Sequence, residues 1–279
     1  PMEFLMEMNS ALKISRIRLT LILFFNTFFA FGQQLNLIDS VSIVEPDLSS
    51  LDRNGNIYIS DVKGNIYQYS ANLEKKQVFS PDKPARITFM DAWQGLRVFC
   101  FYRDVQEFVL LDRFLASSSL YGFDDPKLTF ISAATVAFDN KLWLLDQPSV
   151  SLIKYDIRSR GVEFAKPLEL ILSAPFTNIL LFREYQNKIY LLDGQNGLLV
   201  FDNLGNYISN QKFLNISNAG FYGDYFYYQK NLELIFTNLY RNESHSIKIP
   251  ENRIPENILR SEFGVYIIDR NYLYKYIVK

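Results

Sequence analysis

Cysteine and histidine are almost missing from this chain: its 279 residues hold 1 Cys and 1 His. A single Cys excludes an intrachain disulfide and any Cys-rich metal site. A single His excludes multi-His zinc sites and any charge relay not built on that one imidazole. An excess of either charge is also lacking, since 29 Lys+Arg against 30 Asp+Glu leave a formal net charge of -1. Electrostatic nucleic-acid binding needs a basic surface, so that class of partner is excluded. No uninterrupted apolar run reaches the about 20 residues that a spanning helix requires. What is plentiful is apolar and aromatic: 48% of the residues are hydrophobic, with 24 Phe and 18 Tyr. Such a chain buries a core rather than remaining disordered.

Residues 19–31 read LTLILFFNTFFAF, carry no charge and follow Lys13, Arg16 and Arg18. The run is too short to span a bilayer and has the length of the h-region of a secretory signal. Ala30 and Gly32 place small residues where a signal peptidase reads, so cleavage is expected after Gly32, with 33–279 as one mature domain. An uncleaved N-terminal anchor is the alternative. Pro1 cannot be a translation start; Met8 is a plausible initiator beside Met2 and Met6, which leaves the register of residues 1–7 open. The expectation is an exported protein of the periplasm or cell surface, with no spanning segment in its mature part.

Repetition organises the rest. Short apolar runs end in a polar residue, turn, and are followed by a second run rich in Tyr, Val, Ile or Leu. The clearest are Ile57-Tyr58-Ile59-Ser60-Asp61, Leu142-Trp143-Leu144-Leu145-Asp146, Ile189-Tyr190-Leu191-Leu192-Asp193 and Val265-Tyr266-Ile267-Ile268-Asp269. Weaker copies end at Arg103 and Gln229. Six copies at a period near forty residues fit units of four short antiparallel strands. Small-residue runs such as Ser132-Ala133-Ala134 suit innermost strands. Polar runs such as Lys75-Lys76-Gln77-Val78-Phe79 suit outer edges, where charge discourages edge-to-edge pairing. The last unit stops one strand short at Lys279. Residues 36–44 read as the missing strand, expected to pair beside residues 272–278 and close the ring.

The runs IYISD, LWLLD, IYLLD and VYIID resemble the second-strand signatures of six-bladed β-propellers of the NHL and YWTD type, over roughly residues 36–279. That resemblance implies an all-β wheel of four-stranded antiparallel blades. The Gly-His and Trp-Asp pairs of WD-repeat blades, the double Gly of kelch blades and the Asp-box of sialidases are absent. Five or seven blades remain alternatives, because the unit around 217–250 is poorly marked.

Few residues offer chemistry. His245 sits in a polar stretch that reads as an exposed hairpin tip. Cys100 lies in an aromatic strand and reads as an inert core thiol. Asp61, Asp146, Asp193 and Asp269 recur at the blade period, so each is expected to start a turn rather than to share one ion. Sugar-lactonase propellers, which resemble this architecture, hold a divalent cation at the channel mouth. No innermost-strand carboxylate set here matches that site, so no metal or cofactor is expected; for a Ca ion there, Asp52, Asp91, Asn178 and Glu262 are candidates by rough position only. Asn215 and Asn242 begin N-glycosylation sequons, and Asp39-Ser40-Val41 resembles an O-glycosylation triplet of exported bacterial proteins.

Three functional readings follow. The leading one is a non-enzymatic scaffold or accessory subunit of a cell-envelope assembly, in secretion or outer-membrane transport, binding a protein partner. Its partner-binding rim would combine turns carrying Lys63, Gln147, Gln195 and Asn196 with inter-blade loops carrying Asp82, Lys83, Asp124, Asp125 and Asn257. The second is a metal-dependent hydrolase or lactonase, which needs an axial cluster of carboxylate and amide oxygens. The third is a carbohydrate-binding propeller, which needs exposed aromatics beside carboxylates.

Overall fold

A computed structural model describes residues 34–116, 118–213 and 215–279. The expected signal segment, 1–32, lies outside them. The chain begins its described part with β1 (Leu35–Ser42). Blade 1 follows as β2 (Ser49–Leu51), β3 (Ile57–Ser60), β4 (Ile66–Tyr69) and β5 (Lys75–Phe79). Blade 2 is β6 (Phe89–Asp91), β7 (Arg97–Tyr102), β8 (Glu107–Asp112) and β9 (Ser118–Gly122), with a short 3-10 turn at Arg103–Val105. Blade 3 is β10 (Ile131–Val136), β11 (Leu142–Asp146), β12 (Ser151–Asp156) and β13 (Gly161–Pro167). Blade 4 is β14 (Ile179–Tyr185), β15 (Lys188–Asp193), β16 (Gly197–Asp202) and β17 (Tyr207–Gln211). Blade 5 is β18 (Ser217–Tyr222), β19 (Tyr225–Lys230), β20 (Glu233–Asn238) and β21 (Ser244–Lys248). Blade 6 is β22 (Asn257–Ser261), β23 (Gly264–Ile268) and β24 (Tyr272–Val278), completed by β1.

All six sheets are four-stranded, and each is antiparallel throughout. The chain is therefore a six-bladed β-propeller. The poorly marked stretch around 217–250 is a complete blade, which removes the five- and seven-bladed alternatives.

Period-2 alternation explains why the strands are apolar on both faces. Leu142 and Leu144 of β11 pack toward blade 2, while Trp143 and Leu145 pack toward blade 4. In β3, Tyr58 joins the layer against blade 2, and Ile57 and Ile59 join the layer against blade 6. Six apolar layers result, one between each pair of neighbouring blades. Each fully buried Leu, Ile or Phe contributes about 1.5–3 kcal/mol of transfer free energy. Most of the tyrosines are consumed here: Tyr227, Tyr274 and Tyr276 are buried in the layer between blades 5 and 6.

Ring closure takes the expected form. β1 pairs antiparallel with β24 from Leu35 opposite Val278 to Ser42 opposite Tyr272, with one irregularity between Leu37 and Asp39. Val41 and Ile43 then pack on the layer between blades 6 and 1. Further ties cross that layer: Tyr266 Oη donates to the Ala71 carbonyl at 3.0 Å, and Lys275 Nζ donates to Asn72 Oδ1 at 2.8 Å.

Turns are held by carboxylates, buried at Asp52 and Asp61 and half-buried at Asp202. Asp61 Oδ1 accepts the N–H groups of Lys63 and Asn65, and its Oδ2 accepts Asn65 Nδ2 at 2.7 Å. The same set recurs at Asp52 with Asn54 and Asn56, and at Asp202 with Leu204 and Asn206. All three turns read Asp-x-x-Gly-Asn. Gly64 shows why the fourth residue is glycine: its φ is 84°, and a Cβ there would sit 2.4 Å from the Ala85 carbonyl oxygen.

Deleting residues 34–42 strips blade 6 of its outer strand and of ladder hydrogen bonds worth about 1 kcal/mol each. The expected outcome in calorimetry is loss of the single sharp unfolding transition. A truncated chain that melts in one transition at the full-length midpoint contradicts this closure.

Candidate functional site

The innermost strands β2, β6, β10, β14, β18 and β22 each pair on one side only and border an axial cavity of about 380 Å³. Small side chains such as Ala134 and Gly220 let six strands approach the axis. The cavity holds one ion pair that spans blades: Arg183 Nε of β14 donates to Asp91 Oδ2 of β6 at 3.2 Å. Thr135 Oγ1 of the intervening blade donates to the same oxygen at 3.3 Å, and the Trp93 N–H donates to Asp91 Oδ1 at 2.8 Å. Asp91 is thus fixed by three donors from two blades and one turn. Arg260 of β22 is held by the Gly264 and Ser261 carbonyls and lies 4.2 Å above the Tyr222 ring. Burial pushes its guanidinium below the usual arginine range, while the phenols of Tyr222, Tyr227 and Tyr266 oppose that.

At one end of the axis, turns between second and third strands meet the inter-blade loops. The Ala85 N–H donates to the Lys63 carbonyl at 3.2 Å, Gln147 N–H to Phe130 at 3.0 Å, and Gly194 N–H to Asn178 at 3.0 Å. Together they build a groove of about 420 Å³ whose lining includes Arg86, Arg103, Asp104, Gln147, Phe176 and Asn178. Thr88, Phe89 and Ile179 line both the groove and the axial cavity, so the groove is the mouth of the channel. Arg86 is pinned by Asp47 through Nε at 2.8 Å and Nη2 at 2.6 Å. That two-pronged contact raises the Arg86 pKa further.

The predicted rim residues divide. Lys63, Asp82, Lys83, Gln147 and Gln195 are exposed on this rim, and Asn257 is half-buried beside the axial cavity. Asn196 is a correction: it is fully buried. Its Oδ1 accepts from Ser173 and Ala174, and its Nδ2 donates to the Ala174 carbonyl and to Asp193, so it clasps a turn to a loop. Asp124 is exposed and Asp125 half-buried in their inter-blade loop, and both reach the neighbouring blade. Asp124 pairs with Arg160 at 3.1 Å, and Asp125 Oδ2 accepts the Val162 N–H at 2.7 Å, so both pin the outer hairpin of blade 3. Those backbone donors, Val162 first and then Lys127, hold the Asp125 carboxyl below its usual range.

The cation candidates are not brought together. Asp52 and Glu262 sit in turns after innermost strands, Asp91 ends β6 at that same end, and Asn178 precedes β14 at the opposite end. Asp52 is occupied by its own turn and Asp91 by Arg183. Among the described residues, no three His, Cys, Asp or Glu side chains gather as a metal site. The recurring Asp61, Asp146, Asp193 and Asp269 do bind turn and loop N–H groups, as their period implied.

At the far end, Arg53 lies 5.8 Å from the Trp93 ring and 5.5 Å from the exposed Phe138 ring. Trp93 packs at 5.5 Å on Tyr185. Trp143 Nε1 donates to the buried Glu184 carboxylate at 2.6 Å below them. This cluster, with Arg86, Arg103 and Arg183, was not singled out from the sequence; Arg53 and Trp93 belong to turns whose convergence only the closed ring reveals. Cys100 is fully buried, and burial raises its thiol pKa far above the normal range. His245 is not at a hairpin tip. It lies in β21, its ring stacked 4.9 Å from Phe236 and edge-on to Tyr225 at 5.2 Å. Asn215, Asn242 and Ser40 are all exposed.

No protein-family model matches the sequence, and no curated protein matches it. Solved structures do match. The β-propeller domain of Cps50 (Swd1) from Myceliophteria thermophila aligns with TM-score 0.58 and 12% identity, over 88% of this chain and 100% of that one. Virginiamycin B lyase from Staphylococcus aureus aligns with TM-score 0.59 and 9% identity, over 87% and 99%. BamB from Moraxella catarrhalis aligns with TM-score 0.50 and 8% identity, over 87% and 97%. The likeness is one of fold. Such identities carry architecture and leave activity to be argued from this chain's own residues.

His245 supplies a pH test. His245 remains exposed, and its partial desolvation against Phe236 and Tyr225 lowers its pKa from the ordinary 6.5, so the unfolded chain binds that proton somewhat more readily than the wheel does. Its stabilising contribution is complete above pH 6.5 and is lost as pH falls through the lowered folded value. Between pH 7.5 and 5, the wild-type melting midpoint is expected to fall more than that of His245→Phe. Parallel curves contradict the stacked, neutral imidazole.

Proposed function

We propose that this propeller is an exported, non-enzymatic scaffold that presents its loop rim to a protein partner, as an accessory subunit of a cell-envelope assembly. One observation carries the reading: exposed apolar side chains stand at both ends of the wheel, and the two most exposed of those described stand on this rim. Val62 and Val105 stand in turns of blades 1 and 2, Leu232 in blade 5, and Leu170, Ile254 and Val44 in inter-blade loops. Leu170 and Ile254, at 102% and 85% exposure, are the most exposed large apolar residues among those described. Apolar groups displayed on loops of a stiff wheel suit association with another surface.

The state of the reactive groups supports the non-enzymatic part. The thiol is buried, the imidazole is stacked on an outer strand, and the axial carboxylate is already committed to an arginine. Export rests on the N-terminal run of residues 19–31. It is compatible with the described residues, among which no helix is long and apolar enough to cross a membrane. A fold shared with a streptogramin B lyase, a virginiamycin B lyase and BamB does not choose between catalysis and assembly.

Site-specific photo-crosslinking in the native host tests the rim. A crosslinker at Leu170 or Ile254 is expected to trap one discrete partner, whereas Leu96 and Leu204 on the opposite end trap none. Leu170→Asp with Ile254→Asp should abolish the adduct and leave the melting midpoint unchanged, since both side chains are exposed. Adducts from the opposite end alone, or from neither, contradict the proposal.

A further inference from the structure

We propose that the axial cavity binds a small organic carboxylate through Arg183. This goes beyond the scaffold reading and does not depend on it. The Arg183 side chain is only 16% exposed, yet its hydrogen bond from Nε to Asp91 is the only one it makes with a described residue. A guanidinium carries five N–H donors in a planar fork. Asp91, clamped by Thr135 and Trp93, fixes the Nε side and leaves both Nη groups without a partner. Neither Nη is sealed in protein, and Arg183 lines the axial cavity, so these donors meet its open space. At about 380 Å³ the cavity falls in the lower range of small-molecule sites, roughly 300–1,000 Å³.

The chemistry of the lining selects the ligand. Two parallel N–H groups match the two oxygens of a carboxylate. Arg260 adds positive charge, with its Nη1 held by the Ser261 and Gly264 carbonyls. Glu256 at the edge is paired with Arg270 at 3.1 Å. Asp47, also in the lining, is paired with Arg86 at 2.6 Å, so Arg183 and Arg260 against Asp91 leave one uncompensated positive charge. That suits a monoanion; a phosphate dianion would be repelled by the Asp91 carboxylate beside Nε.

The test is a melting-midpoint titration of the purified chain with lactate, against chloride and inorganic phosphate at matched ionic strength. Lactate at about 100 times its dissociation constant is expected to raise the midpoint by roughly 5 °C or more, saturably. Arg183→Lys keeps the ion pair and removes the fork, so binding should weaken by about tenfold or more. The double variant Asp91→Asn with Arg183→Gln removes both charges together, spares the cavity an unpaired ion, and should lose the response entirely. A lactate shift no larger than that of chloride, a shift unchanged in both variants, or a shift given by phosphate and not by lactate each overturns the proposal.

Discussion

The pairing of β1 with β24 is the constraint on which the molecule depends. A blade is apolar on both faces, so each must be covered by a neighbour on either side. In an open arc, the outer faces of the first and last blades would be left against water. Here the chain's first described strand supplies the outer strand of the last blade, and Val41 and Ile43 continue into the layer shared with blade 1. A contact between residues more than two hundred positions apart thereby makes all six layers equivalent. The axial cavity and the rim exist as closed features because that contact is made.

Within the ring, acidic side chains are used chiefly to shape backbone. Asp146 and Asp193 are almost fully buried, a placement that is costly unless the carboxylate is hydrogen-bonded. Each accepts several N–H or hydroxyl donors from the loop ahead of its own blade, which locks turn and loop together at the mouth. The same economy explains why blade-periodic aspartates do not assemble an ion site. Their oxygens are spent locally, and the ring symmetry keeps the copies apart. Asp91 is the exception, since it reaches across blades to Arg183, and there the lining has chemistry left over.

Much of the wheel was legible because it rests on local, repeated signals. Alternating runs ending in Asp placed the second strands, and β5 and β11 lie where their residues implied. The missing strand was readable because the last unit is short by one. Blade 5 was faint because its second strand ends in Gln229 and Lys230 rather than Asp, although its Tyr and Phe alternation is intact. The site was far less legible. Asn196 looked like a rim amide and is an internal clasp, while the loop carboxylates Asp124 and Asp125 also grip the next blade. That error comes from treating a loop residue as free before knowing which neighbouring backbone needs a partner. Arg53, Arg183 and Trp93 gave no local signal, since their meaning arises only where six strands converge. The Asp-x-x-Gly-Asn turns at Asp52, Asp61 and Asp202 did carry a sequence signal, and would have removed Asp52 from the cation candidates.

Rim and channel thus differ in chemistry on one frame: exposed apolar side chains on loops outside, and a partly unpaired guanidinium within. Both stand or fall with closure. Native-state hydrogen exchange of the backbone amides in β1 tests it most directly. If β1 is an integral strand, its ladder amides exchange only with the global unfolding that also releases those of β23 and β24. Amides of β1 that exchange at the rate of an exposed terminus, while β23 and β24 remain protected, would contradict the closed wheel.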